Sequence, residues 1–414
     1  MRDVNVLIED GVIAAIGDNV SKAVSETMDC KGKIVAPGLI NTHTHLAMTM
    51  FRGYADDMKL ENCFPTALWS KLTPEACHYG ALLGCLEMIA TGTTTFVDMG
   101  FFMEETAKAV EESGLRAFLS HCLVGTVGSE LEQQSKENTK KFAGFLKELN
   151  QPKLAFAVGP HSPYLCSPEL LVWAKEMAEE EDVMLHAHLA ETRSEQERIQ
   201  KERGLKEIEY LEKLGFLCPN LLAADCVWLA KSEVETLSNR NVRVSHCPVS
   251  NMKLASGGMT PVPEMLDAGI PVSLGTGSSA SNNSLDMFDT MKTCALAQKA
   301  HRWDAAVLPA QQILDLATID AARVLKIDEK VGSVEIGKEA DLIVIDADVP
   351  NLAPLREDSV VSNLVYAAKG YNVDATIAGK VIMSDKRFLT LREDKIYENA
   401  EKNALTLVER KQRD

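Results

Sequence analysis

Ile34-Val35-Ala36-Pro37-Gly38-Leu39-Ile40-Asn41-Thr42-His43-Thr44-His45 decides how this chain is read. An apolar run of strand character ends in two histidines two residues apart. Residues two apart on a strand face the same side, so both imidazoles leave the end of a buried strand in one direction. That is what a zinc-type divalent ion needs from its first two ligands. The alternative, a buried histidine pair bonded to neighbours, desolvates two polar rings with nothing gained.

Seven more short apolar runs follow at similar intervals. Strands are expected near Val35–His45, Thr93–Met99, Ala117–Val124, Leu154–His161, Val183–Leu189, Leu221–Leu229, Val242–Pro248 and Pro271–Thr276, with helical spacing between them. The first helix has a cap in Thr73, a proline at its first position in Pro74 and a stop in Gly92. Strands alternating with helices imply a parallel sheet, and eight repeats imply a closed TIM-type (β/α)8 barrel over residues 36–331. An open doubly wound sheet competes, but the chain has no glycine fingerprint for a nucleotide. Both ends read as short strands and turns, too little to bury a core separately. Residues 1–35 and 332–394 are therefore expected to form one small composite β-sandwich. Residues 395–414 are expected to be a charged helical tail with a frayed end.

At 414 residues the chain exceeds one ordinary core. Its 46% hydrophobic and 25% charged content is that of a globular enzyme. A net charge of −17 argues against nucleic acid or an anionic membrane as partner. No apolar run reaches the length of a membrane span and Met1–Asn5 lacks a signal-peptide core, so a cytoplasmic location is expected. The ten cysteines make no Cys-x-x-Cys pair, which excludes a zinc ribbon, a thioredoxin-like motif and the cysteine-ligated zinc deaminases.

In a β/α barrel, chemistry gathers where strands end. The fourth run ends at His161. The fifth carries His188 and, three residues on, Glu191. His188 suits a third metal ligand, and Glu191 can pass protons between an activated water and a substrate nitrogen. Alone, His-x-x-Glu says little; beside the upstream histidine pair it is a specific signal.

With these residues in place the chain resembles the amidohydrolase superfamily, in its 5-methylthioadenosine/S-adenosylhomocysteine deaminase branch. The opening stretch carries the resemblance, with Arg52-Gly53-Tyr54-Ala55-Asp56-Asp57, Gly92-Thr93-Thr94-Thr95-Phe96-Val97-Asp98-Met99, Gly159-Pro160-His161-Ser162-Pro163-Tyr164, His188-Leu189-Ala190-Glu191-Thr192, Ser245-His246-Cys247-Pro248 and Ser281-Asn282-Asn283. It implies a barrel with a composite sandwich, one divalent metal (zinc by the family pattern), and hydrolytic removal of ammonia from the adenine ring of a nucleoside-like small molecule. Carried over by position, His43, His45 and His188 match metal ligands, Glu191 the proton shuttle and His161 a substrate contact.

Four positions depart from that pattern. Asp225 stands where the sixth strand should end in a water-orienting histidine. Gly277 stands where the eighth should supply an aspartate, as metal ligand and base. Phe64–Lys71 holds no glutamate for the ribose, and His121 replaces an arginine. A lost general base costs about two to four orders of magnitude in rate. Asp225 offers a repair as substitute ligand or base; the plainer alternative is a hydrogen-bonded residue in a relaxed pocket. Three readings follow: a C–N hydrolase of adenosine-like nucleosides, an impaired relative retained for binding, or a hydrolase of another heterocycle. Whether copies assemble into a homo-oligomer stays open. His246 suits a polar pocket role or a core position, and His186 suits support of a ligand. Asp98 suits orientation of a ligand or a bond to backbone. Met48 and Met50 suit an apolar pocket wall or the core, and His78 and His301 fall in helical text.

Overall fold

The protein is described by a computed structural model covering residues 4–18, 20, 26–54, 56–58 and 71–409. The chain begins with an antiparallel hairpin, β1 (Asn5–Glu9) and β2 (Val12–Gly17), then β3 (Lys33–Pro37). Eight parallel strands follow: β4 (Leu39–Thr44), β5 (Thr93–Gly100), β6 (Arg116–Leu123), β7 (Leu154–Pro160), β8 (Met184–Leu189), β9 (Leu221–Asp225), β10 (Arg243–His246) and β11 (Val272–Leu274). They neighbour one another in chain order, with helices between them, as the expected barrel requires. The last strands are β12 (Asp341–Asp346), β13 (Val373–Ala378), β14 (Lys380–Ser384) and β15 (Arg387–Phe388).

The decisive stretch splits at Gly38. Its first half, β3, pairs antiparallel with β12 in a five-stranded sheet ordered β15-β14-β13-β12-β3; its second half is the first barrel strand. A Cβ at Gly38 would lie 2.2 Å from Thr94 Oγ1, so the chain can cross between sheets only where no side chain stands. Both ends of the chain thus meet in this sheet. Ile13 and Ile16 of the hairpin pack with Leu342, Val344, Ala375 and Ile377. The expected strand Leu221–Leu229 stops four residues early, because Asp225 (φ 73°) and Cys226 (φ 52°) turn the backbone left-handed.

The barrel's lower end is filled by Ile40, Val97, Ala157, Met184 and Leu222, closed beneath by Ala321, Ala322 and Leu325. The seam between β11 and β4 is joined largely beyond the strands. Gly277 N–H donates to the His43 carbonyl at 3.0 Å. Asn41 accepts from Thr276 N–H at 3.0 Å and donates to Thr276 Oγ1 at 2.8 Å. The helix after β4, Pro74–Ala90, has Thr73 accepting from Ala76 N–H and Pro74 at its first position, as its sequence predicts. The terminal helix, Glu393–Glu409, begins two residues before the expected tail and packs Ala400 and Leu407 against Ala76 and Cys77. Phe64–Ser70, the segment read as lacking a ribose-binding glutamate, lies outside the described residues, as do Met1–Asp3 and residues 410–414.

Candidate metal centre and pocket

The three candidate ligands converge. The ring of His43 lies 4.8 Å, centre to centre, from each of His45 and His188. One ring nitrogen from each lies within 4.8 Å of the others. The outer nitrogens decide which lone pairs remain. His45 Nδ1 donates to the Met99 carbonyl at 2.9 Å, and His188 Nδ1 donates to the His161 carbonyl at 2.8 Å. With Nδ1 protonated in each, both Nε2 atoms are acceptors, and they face one another at 3.1 Å. Two lone pairs at that spacing repel each other and together attract a cation. His43 Nδ1 meets His186 Nε2 at 2.9 Å, so His186 holds the outer side of the third ligand. Burial, reinforced in His43 by the neighbouring imidazoles, holds His43 well below its usual pKa, His45 at about 3 and His188 at about 4. Neutral imidazole is the ligating form, so the three residues fit a divalent metal.

The turn after β8 is shaped by carboxylates that motif reading did not single out. Glu207 accepts from Ala190 N–H at 2.7 Å where Ala190 takes φ 51°, and Glu195 accepts from Glu191 N–H at 2.9 Å. The signal for Glu195 was present in the sequence, since Thr192 and Glu195 form a capping box. The Glu191 carboxyl is pushed well up by burial, then by the Asp225 and Glu195 charges, which favours its protonated form. His161 stacks on His188 at 4.5 Å and meets Ser162 Oγ at 3.1 Å. Asp98 Oδ1 accepts from Thr44 Oγ1 at 2.9 Å and from Leu46 N–H, fixing the chain as it turns past His45.

The other strand ends differ. Asp225 Oδ1 accepts from Asn251 Nδ2 at 2.9 Å, while Asp225 Oδ2 and Asn251 Oδ1 are buried with no partner among the described residues. Asp225 is not one of the residues grouped within ligand distance of the three histidines. His246 is buried with neither ring nitrogen bonded among the described residues, and burial alone takes it to about 3. Its neighbour Cys247 is the residue nearer Asp225: its thiol donates to the Ser245 carbonyl at 3.7 Å, and its pKa is raised by burial and by the Asp225 and Glu191 charges. His121 is buried edge-on to Phe101 at 5.9 Å, and burial lowers it to about 4. Gly277 has φ 67°, and a Cβ there would lie 2.5 Å from Ser250 Oγ. Ser250 is itself held by the Thr276 carbonyl at 3.0 Å and Ser281 Oγ at 2.7 Å. Met50 and Phe51 are buried with Met48 against Ala76 and Cys77, a core use. His78 lies on a helix beside Glu105 and Glu112, and His301 closes another helix.

A parallel barrel with three neutral imidazoles and a buried carboxyl of raised pKa at its strand ends is the architecture of metal-assisted hydrolases. The profile of the Amidohydrolase family matches residues 34–382, and the chain belongs to that family. It is 44% identical to a 5′-deoxyadenosine deaminase of Methanosarcina acetivorans, over 99% of this chain and 95% of that protein. It is 43% identical to a 5-methylthioadenosine/S-adenosylhomocysteine deaminase of Thermococcus sibiricus, over 92% and 89%. The crystal structure of an adenosine deaminase from Xanthomonas campestris with bound zinc superposes with TM-score 0.92 at 30% identity, covering 98% and 94% of the two chains. The fold is also that of a zinc-complexed atrazine chlorohydrolase from Arthrobacter aurescens, TM-score 0.89 at 23% identity, covering 98% and 96%. Among the described residues no helix is long and apolar enough to cross a membrane.

Proposed function

We propose that this protein is a metal-dependent hydrolytic deaminase of 5′-modified adenosines, with turnover reduced by the loss of the eighth-strand carboxylate. One observation carries the reading: His45 and His188 turn their Nε2 lone pairs toward each other because both Nδ1 atoms are committed to carbonyls. The full-length likeness to 5′-deoxyadenosine deaminases supports the substrate class.

His43, His45 and His188 would hold the ion, with zinc the expected metal. When bound it supplies Lewis-acid activation of the attacking water. Glu191, whose protonated form its surroundings favour, gives its proton to the ring nitrogen next to the carbon under attack. The carbon gains the water oxygen and the exocyclic C–N bond breaks; one water proton leaves with the ammonia and the other returns to Glu191. His161, neutral and stacked on His188, orients the ring. Asp225 is the second carboxyl beside Glu191 and contacts the reacting end of the substrate. Gly277 offers no group for the water's proton, and that loss accounts for slow turnover.

The test is ammonia release by zinc-loaded protein from 5′-deoxyadenosine, 5-methylthioadenosine and S-adenosylhomocysteine. Typical enzymes turn over at about 10 s⁻¹, and loss of the base places the expected rate roughly two to four orders of magnitude lower. Glu191→Gln should abolish it. No release above the metal-free blank from any of the three would favour the reading as a binding protein.

A further inference from the structure

Two buried oxygens beside Glu191 have no hydrogen-bond partner among the described residues, and they belong to side chains bonded to each other. Asp225 is 3% exposed and Asn251 is 6% exposed. The Asn251 amide donates to Asp225 Oδ1, which fixes the orientation of both groups: Asn251 Oδ1 and Asp225 Oδ2 are left as acceptors. Leaving a buried acceptor unpaired is costly, so two on side chains bonded to each other point to a ligand that donates twice. Both belong to the barrel mouth. Asp225 ends β9, and Asn251 lies in the short helix Pro248–Lys253 that follows β10. The Thr260 hydroxyl holds the Asp225 carbonyl at 3.0 Å, which pins the left-handed turn that aims the carboxylate.

We infer that Asp225 and Asn251 form a paired acceptor that recognises the exocyclic amino group of an aminopurine-type ring. The inference rests on the deaminase reading and names what that site reads. An amino group on an aromatic ring has two N–H donors in one plane, and this pair offers two acceptors. Glu191 supplies the complementary donor to the adjacent ring nitrogen, so the three residues together match the acceptor-and-double-donor edge of an amidine. After deamination the same position carries a carbonyl oxygen. Two acceptors then face an acceptor, which disfavours the product and promotes its release. Asp225 touches the substrate in this arrangement, and Asn251 both touches it and orients Asp225.

Binding, not turnover, tests this. The probes are 1-deazaadenosine, which keeps the amino group but lacks the ring nitrogen that must be protonated, and the same nucleoside without its amino group. Both are titrated calorimetrically into zinc-loaded protein. The amino-bearing ligand should bind about 10- to 100-fold more tightly, the range expected for hydrogen bonds to a charged acceptor. Asp225→Ala and, separately, Asn251→Ser should each remove most of that difference and leave the affinity of the amino-free nucleoside within about threefold, inside ordinary context scatter. A structural role alone would weaken both ligands together, and that outcome overturns the inference. Equal binding of the two nucleosides by the unaltered protein also overturns it while sparing the deaminase reading. If neither binds, the nucleoside reading fails and the inference fails with it.

Discussion

The two halves of the barrel mouth are built on different plans. Where β4, β5, β7 and β8 end, the ligand histidines have their outer nitrogens bonded, to Met99, His161 and His186, and their inner nitrogens gathered together. Where β9 to β11 end, the backbone turns left-handed at Asp225, Cys226 and Gly277, and Asp225 and Asn251 keep buried acceptors without partners among the described residues. The first half offers an ion neutral donors fixed from behind. In the second, the proposed amino-bearing ligand is what would fill the acceptors of Asp225 and Asn251. Loss of a carboxylate on the second half therefore need not disturb the first.

The largest effect should come from removing a ligand in the first half. His188→Ala should lower zinc affinity by well over the roughly 10- to 100-fold expected of a supporting residue, and His186→Leu should fall within that supporting range. Competition with a chromophoric chelator checks both. Equal losses would show that the support of His43 matters as much as direct ligation.

A smaller effect is expected from rebuilding the second half. Gly277→Asp with Asp225→His restores the family's complement on paper. Gly277, however, occupies positive φ, and its new Cβ would overlap Ser250 Oγ. Left-handed strain and overpacking together should destabilise Gly277→Asp by about 2–3 kcal/mol. Adding Ser250→Ala should recover part of this in urea melts. A melt unchanged by Gly277→Asp would show that the loop relaxes freely, and the two halves would then differ less than the backbone indicates.

The smallest effect concerns the Asp225 charge. Burial raises its carboxyl from 3.8 to about 6, so the folded state disfavours ionisation. Stability from this group is complete below pH 3.8 and is lost as pH rises through about 6. Asp225→Asn should therefore gain on the unaltered protein by about 1–3 kcal/mol at about pH 8, and by little at about pH 4. Denaturant midpoints at the two pH values decide it. A constant difference would mean that Asp225 gains a cationic partner not seen in the structure.

Much of this was legible before folding. The alternation of strand and helix, the cap and proline of Pro74–Ala90, and the spacing of His43, His45, His188 and Glu191 all depend on local periodicity, which a sequence displays directly. Thr192 and Glu195 were equally readable as a capping box, although their effect on Glu191 was not. His246 shows the limit. It is the histidine at a strand end, yet neither ring nitrogen is bonded among the described residues and the next residue, Cys247, is the one that feels the Asp225 charge, because successive strand side chains point to opposite faces.

The sequence by itself determined the eight-fold βα repeat, which three histidines converge, and the absence of a carboxylate at Gly277. These follow from residue type and short-range spacing. Only the tertiary structure decided that the opening stretch divides between two sheets at Gly38, that Ser250 occupies the space a Gly277 side chain would need, and that Asn251 reaches Asp225 from the next loop. Each joins residues brought together by barrel closure or sheet crossover, and non-local contacts of that kind are set by how the whole chain packs.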